Sequence, residues 1–138
     1  MQVIQDSLLA GAQSAKGLAV IIDVFRAFTC TPLLFSLGIE NSILVATPQE
    51  AFALKRDQKN VLLIGEIGGV PIEGFDLGNS PSEIRRQAPS MFKGRTVVQR
   101  TSAGVQGALA ALAAADEVLV AGYTNARATA DYILSRKP

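Results

Sequence analysis

The stretch VLLIGEIGGVPIEGFDLGNSPSE, residues 61–83, decides the fold. It opens on an apolar run, residues 61–65, with no polar alternation, which is the pattern of a strand buried on both faces. It closes on Ser80-Pro81-Ser82-Glu83, which reads as a helix cap, a proline in the first helical position and an acid three residues after the cap. Strand, glycine-rich loop and helix in that order form one unit of an alternating α/β chain.

Working outward, the same unit recurs. Short runs rich in Val, Ile and Leu at residues 18–23, 42–46, 95–99 and 117–121 predict four further strands. Helices are predicted over residues 26–37, 48–58, 81–87, 105–114 and 126–136, the second of them opened by Thr47-Pro48-Gln49-Glu50, a repeat of the cap at Ser80. Pro32 falls early in the first helix and either occupies its opening turn or kinks it. The order βαβαβαβαβα predicts a three-layer α/β/α domain over residues 1–138, built on a mostly parallel sheet of about five strands with right-handed crossovers.

Composition narrows the chemistry. Thirteen basic and twelve acidic residues leave a formal charge of +1, so the chain lacks the electrostatic footprint of a nucleic-acid binder. There is no histidine, and the single cysteine, Cys30, excludes an internal disulfide and a cysteine-based zinc cluster. Cys30 lies in an apolar helical stretch and reads as a buried structural thiol. Any metal is then expected to be hard and oxygen-ligated, Mg²⁺ or Mn²⁺. No apolar run approaches the ~20 residues of a membrane span, and no leader pattern opens the chain, so a soluble cytoplasmic protein with no membrane partner is expected. The 49% hydrophobic content of so short a chain predicts a homo-oligomer.

Ligands of open parallel sheets bind outside the carboxyl ends of the strands. Asp23 ends the first run, Glu66 follows the third, Arg100, Thr101 and Ser102 follow the fourth, and Asn125 comes just after the fifth, so all fall on one rim. Carboxylates at strand ends can share a divalent cation, with Asp23, Glu66 and Asp76 as candidate ligands. Arg26 and Arg100 would face a phosphate or sulfonate. The helix starts at Asn79-Ser80 and Thr101-Ser102 offer free N–H groups to an oxyanion. Each residue has a plainer reading: a strand-end aspartate is ordinarily a turn or cap, loop acids are solvated, and Arg26 can pair with Asp23 for roughly 0–1 kcal/mol.

Three motifs go further. Ile22-Asp23-Val24-Phe25-Arg26-Ala27-Phe28-Thr29, then Gly65-Glu66-Ile67-Gly68-Gly69, and above all Gly74-Phe75-Asp76-Leu77-Gly78-Asn79-Ser80-Pro81 resemble the 2-phosphosulfolactate phosphatase family, Mg²⁺-dependent enzymes of coenzyme M biosynthesis. The segments at Gly94-Arg95-Thr96-Val97-Val98 and Ala121-Gly122-Tyr123-Thr124-Asn125-Ala126 extend the resemblance. Ile67 stands where the family usually has arginine, and Arg100-Thr101-Ser102-Ala103-Gly104 where a Thr-Thr-Asn-Gly type sequence is typical. Family members continue well beyond the point corresponding to Pro138.

The resemblance implies a magnesium site using Asp23, with Glu66 and Asp76 as partners, and Arg26 among the catalytic groups. It implies a small phosphorylated or sulfonated organic acid held by Asn79, Ser80, Arg100, Thr101, Ser102 and Asn125. The reaction implied is hydrolysis of 2-phospho-3-sulfolactate, with a carboxylate either activating water or attacking phosphorus. Phosphoryl transfer relies on positioning and charge neutralisation, so it needs no imidazole. Two other readings stand beside it: a noncatalytic anion-binding domain, and a site completed by another subunit.

Overall fold

Strand and helix alternate along the chain. The computed structural model describes residues 2–136, with the elements α1 (Leu8–Gln13), β1 (Leu18–Ile22), α2 (Ala27–Ser36), β2 (Asn41–Leu44), α3 (Pro48–Asp57), β3 (Val61–Ile67), β4 (Val70–Pro71), α4 (Pro81–Arg85), β5 (Thr96–Arg100), α5 (Gly104–Leu112), β6 (Glu117–Ala121) and α6 (Ala126–Arg136). Short 3-10 turns stand at Pro89–Met91 and Tyr123–Asn125.

The pleat of the central strands sets the layers. Leu62 and Ile64 of β3 and Val97 of β5 point to one face, where they bury Cys30 and Leu34 of α2 and Ile84 of α4. Val61 and Leu63 of β3 and Val98 of β5 point to the other, against Ala51 and Leu54 of α3. Burial on both faces is why these runs show no polar alternation. The result is the expected three-layer α/β/α arrangement.

The sheet is divided differently from the expectation. Six strands fall into two hydrogen-bonded groups, β1-β6 and β2-β5-β3-β4. All pairings are parallel except the hairpin β3-β4, where Glu66 faces Pro71 and Ile67 faces Val70. Ile21 of β1, Val120 of β6 and Leu44 of β2 all pack on buried Ala27, Phe28 and Ala108, so one apolar cluster joins the two groups.

Both capped helices begin where predicted. Thr47 accepts from Glu50 N at 3.3 Å, and Ser80 accepts from Glu83 N at 3.4 Å. The return bonds of the two acids land upstream of the caps, Glu50 on Ala46 N and Glu83 on Gly78 N. Pro32 lies inside α2, and the backbone leaves helical geometry at Phe28, four residues earlier, where a proline ring meets the carbonyl it displaces. Two elements lie outside the prediction. α1 has no cap bond and no charged first turn to announce it, and β4 is two residues long.

Candidate active site

The site is assembled at the carboxyl ends of β1, β3 and β5. β1 delivers Asp23. Its N–H donates to Ala121 O at 3.1 Å, level with the end of β6, and its carbonyl accepts from Phe28 N at 3.1 Å, turning the chain into α2. The Asp23 carboxylate lies against the first residue of α5: a Cβ added at Gly104 would overlap Asp23 Oδ2, with Ala27 Cβ at 2.9 Å and Asp23 Cβ at 3.0 Å. Gly104 therefore keeps open the cradle in which the carboxylate sits, at the positive end of a helix dipole.

Glu66, at the end of β3, is 7% exposed and bound on both oxygens. Oε1 accepts from Ser102 N at 2.6 Å, and Oε2 accepts from Gly69 N at 2.6 Å and Ser102 Oγ at 3.2 Å. Burial pushes its carboxyl up, but the donations from Ser102 N, Gly69 N and Ser102 Oγ, with the charge of Arg100, outweigh it and hold the group below the usual carboxylate value. Glu66 thus ties the hairpin tip to the loop after β5. The tip needs Gly68 and Gly69, whose φ values of +58° and +86° suit the two-residue turn. Gly68 N donates to Ser102 Oγ at 2.8 Å, so both tip amides are engaged internally and form no free oxyanion cradle.

Asn79 enters from the long loop between β4 and α4. It is 7% exposed and lines the same cleft, and among the described residues nothing bonds its carboxamide. Among the described residues the buried side-chain atoms left without a partner are Ser42 Oγ and Gln99 Nε2, not those of Asn79, so this amide opens on the cleft and is free to bond water or a ligand there. Asp23, Phe25, Arg26, Glu66, Asn79 and Ser102, with Gly68, Gly69 and Ala103, line a cleft of about 260 Å³. Arg26 and Asp23 face it without an ion pair to each other among the described residues. Phe25 stands at its mouth, 88% exposed, and the Phe25–Arg26 peptide bond is cis.

Several expected members lie elsewhere. Asp76 does not face the cleft: Lys55 Nζ donates to its two oxygens at 2.7 and 2.6 Å, and Leu63 N donates to Oδ2 at 2.7 Å. The three-carboxylate arrangement of Asp23, Glu66 and Asp76 is accordingly not assembled, and no group of three or more His, Cys, Asp or Glu placed to hold a metal ion occurs among the described residues. Arg100 does not line the cleft: it stands behind the wall, donating to Glu66 O at 2.9 Å, Ala46 O at 3.3 Å and Ser102 Oγ at 3.3 Å. Thr101 is buried and its Oγ1 accepts from Val105 N at 3.0 Å, capping α5. Ser80 caps α4. Asn125 spends its carboxamide on the turn after β6, accepting from Gly122 N at 2.8 Å and donating to Val120 O at 3.0 Å. It lines a separate groove of about 380 Å³ between β6 and α6, whose other walls are Val118, Leu119, Val120, Ala128, Thr129 and Tyr132. That larger groove has no charged side chain and fits an anionic ligand poorly.

Cys30 is 1% exposed, and burial, partly offset by Arg26, pushes its thiol up to about 12, so it is no nucleophile. The residues missed from the sequence are Gly104, Phe25, Ala103 and Lys55. Gly104 announces itself only as a glycine in a predicted helix start, and an isolated lysine on a polar helix face gives no signal at all.

The chain matches the family model described as 2-phosphosulpholactate phosphatase over residues 4–138. It is 42% identical over 114 residues to the probable 2-phosphosulfolactate phosphatase of Bacillus subtilis, covering 83% of this chain and 48% of that protein. It is 40% identical over 117 residues to the probable 2-phosphosulfolactate phosphatase of Deinococcus radiodurans, covering 85% and 48%, and 40% identical over 116 residues to that of Caldicellulosiruptor saccharolyticus, covering 84% and 46%. The chain spans about half the length of the curated relatives it matches. With the strand-end cleft and a match running from residue 4 to residue 138, the chain belongs to the 2-phosphosulpholactate phosphatase family.

Proposed function

We propose that the chain carries a phosphatase site for a small anionic phosphoester, 2-phospho-3-sulfolactate, releasing sulfolactate and phosphate with Mg²⁺ as cofactor. The observation that carries the reading is the meeting of Asp23, Arg26 and the unpartnered Asn79 carboxamide in one cleft. Family membership supplies the substrate class.

The donor set fits a hard cation. Asp23 has no ion-pair partner among the described residues, and Glu66 Oε1, with one donor, keeps a lone pair for a ligand or a metal-bound water. Mg²⁺ characteristically takes one or two carboxylates and completes its shell with water and substrate phosphate. When bound, it would supply charge neutralisation at the phosphoryl oxygens.

The rest is the work of side chains. Arg26 offers a planar fork to a phosphoryl or sulfonate group and offsets the charge that develops in transfer. Asn79 donates its amide N–H to a substrate oxygen and so orients the ester. Glu66 and Ser102 keep the hairpin tip in place as one wall of the cleft. Asp23 is the carboxylate not committed to backbone donors, and it either takes a proton from water as that water displaces the sulfolactate oxygen, or itself displaces that oxygen to form an aspartyl phosphate that water then cleaves; acid quench of a single turnover with ³²P-labelled ester leaves the protein unlabelled in the first case and traps labelled aspartyl phosphate in the second.

The test is phosphate release from a panel of phosphoesters, with Mg²⁺ and with chelator, for the wild type, Asp23→Asn and Arg26→Ala. The expected result is metal-dependent release favouring 2-phospho-3-sulfolactate, with a loss of the order of 10²-fold or more in each variant. Binding of sulfolactate without release from any ester would overturn the phosphatase reading in favour of an anion-binding domain.

A further inference from the structure

We infer that the Lys55–Asp76 pair, outside the cleft, fixes Asn79 inside it and thereby sets how tightly the site holds its anionic substrate; the substrate, though not the geometry, rests on the phosphatase reading above. Asp76 is wholly committed. Its carboxylate takes two bonds from Lys55 Nζ and one from Leu63 N. Its backbone continues the grip, with Asp76 N and Leu77 N donating to Leu63 O at 2.9 and 3.2 Å and Gly65 N donating to Leu77 O at 3.1 Å.

The loop is thus laid along β3 and held there from α3. Lys55 sits in the last turn of that helix, and one turn earlier Phe52 meets Phe75 edge-on with ring centroids 5.4 Å apart. Between Asp76 and Asn79 stand only Leu77 and Gly78, both buried, and Gly78 N is held by Glu83 Oε2 at 3.1 Å. There is little slack in those links, so a displacement at Asp76 is passed to Asn79. Lys55 and Asp76 are positioning residues that act through the Asn79 carboxamide and touch no reacting atom.

The test compares Lys55→Met, Lys55→Arg and Asn79→Ala, alone and with Lys55→Met added to Asn79→Ala. Lys55 is partly exposed, so its variants are expected to fold, and a thermal melt of each checks this before kinetics. The expected result is a KM raised about five- to tenfold in Lys55→Met with kcat within about twofold, recovery in Lys55→Arg, and no further effect in the Asn79→Ala background. An unchanged KM, or an equal rise of KM in the Asn79→Ala background, overturns the inference. A second readout is independent of turnover: inorganic phosphate is titrated while the Asn79 side-chain amide is followed by NMR. A shift in the wild type that weakens in Lys55→Met supports the strut even if no phosphoester is hydrolysed. An amide that ignores phosphate in the wild type, or responds identically in both, contradicts it.

Discussion

Gly104→Ala adds one methyl group where the structure has no room for it. In an ordinary helix the change stabilises by up to ~1 kcal/mol, and Gly104 has no positive φ to oppose it. Here the new Cβ lands 2.9 Å from Ala27 Cβ and 3.0 Å from Asp23 Cβ, and closer still to Asp23 Oδ2. Carbon atoms in contact ordinarily stand ~3.5–4.0 Å apart, so something must withdraw by roughly 0.5–1 Å. Ala27 is fully buried at the start of α2 and cannot retreat cheaply, which leaves the half-exposed Asp23 side chain to move. A misplacement of about 1 Å at a reacting group costs of the order of 10²-fold in rate. Overpacking costs about 1–3 kcal/mol, against which the helix gain is set. The assay is kcat/KM for phosphate release, with the melting temperature measured in parallel. Gly107→Ala is the control, since its Cβ would meet only Ile21 Cγ2 at an ordinary 3.5 Å. The expected result is a large loss of kcat/KM in Gly104→Ala with the fold retained, and a fully active, slightly more stable Gly107→Ala. Wild-type kcat/KM in a folded Gly104→Ala would refute the placement of Asp23.

Glu66 is held below its usual 4.5, so its ionised form stabilises the fold above about that pH, and the contribution is lost as pH falls from there through the folded value. Melting curves of the wild type should therefore fall more steeply on acidification than those of Glu66→Gln, and parallel curves would contradict the clamp. Asn125→Ala should lower stability by ~1 kcal/mol through its lost turn bonds and leave KM unchanged; a raised KM in steady-state kinetics would return Asn125 to the substrate site. Cys30 should resist alkylation in the native chain at neutral pH and react only on unfolding, as followed by mass spectrometry.

The sequence was most informative where local rules and burial coincide. The runs buried on both faces and the two Thr/Ser-Pro-x-Glu starts carry their own physics, and β3, β5, α3 and α4 stand within a few residues of where those signals put them. α1 and β4 are held by tertiary packing and a two-glycine turn, and short apolar or glycine-bearing segments do not declare such partners. Within the site, residues at strand ends were readable because topology alone brings Asp23, Glu66 and Ser102 to one rim. What proximity to a rim could not tell was which way a side chain turns. Asp76 and Arg100 satisfy backbone groups and a lysine, and Thr101 and Asn125 cap their own turns, because a polar side chain beside unpaired N–H or C=O groups bonds them first.

If the cleft bearing Asp23, Arg26 and Asn79 holds the anion, bound ligands will be found there. A crystal structure with Mg²⁺ and sulfolactate or inorganic phosphate tests it most directly. The anion should lie within hydrogen-bond distance of Arg26 and the Asn79 carboxamide, with the cation on Asp23. An anion in the groove between β6 and α6, or a cation on Asp76, would contradict it.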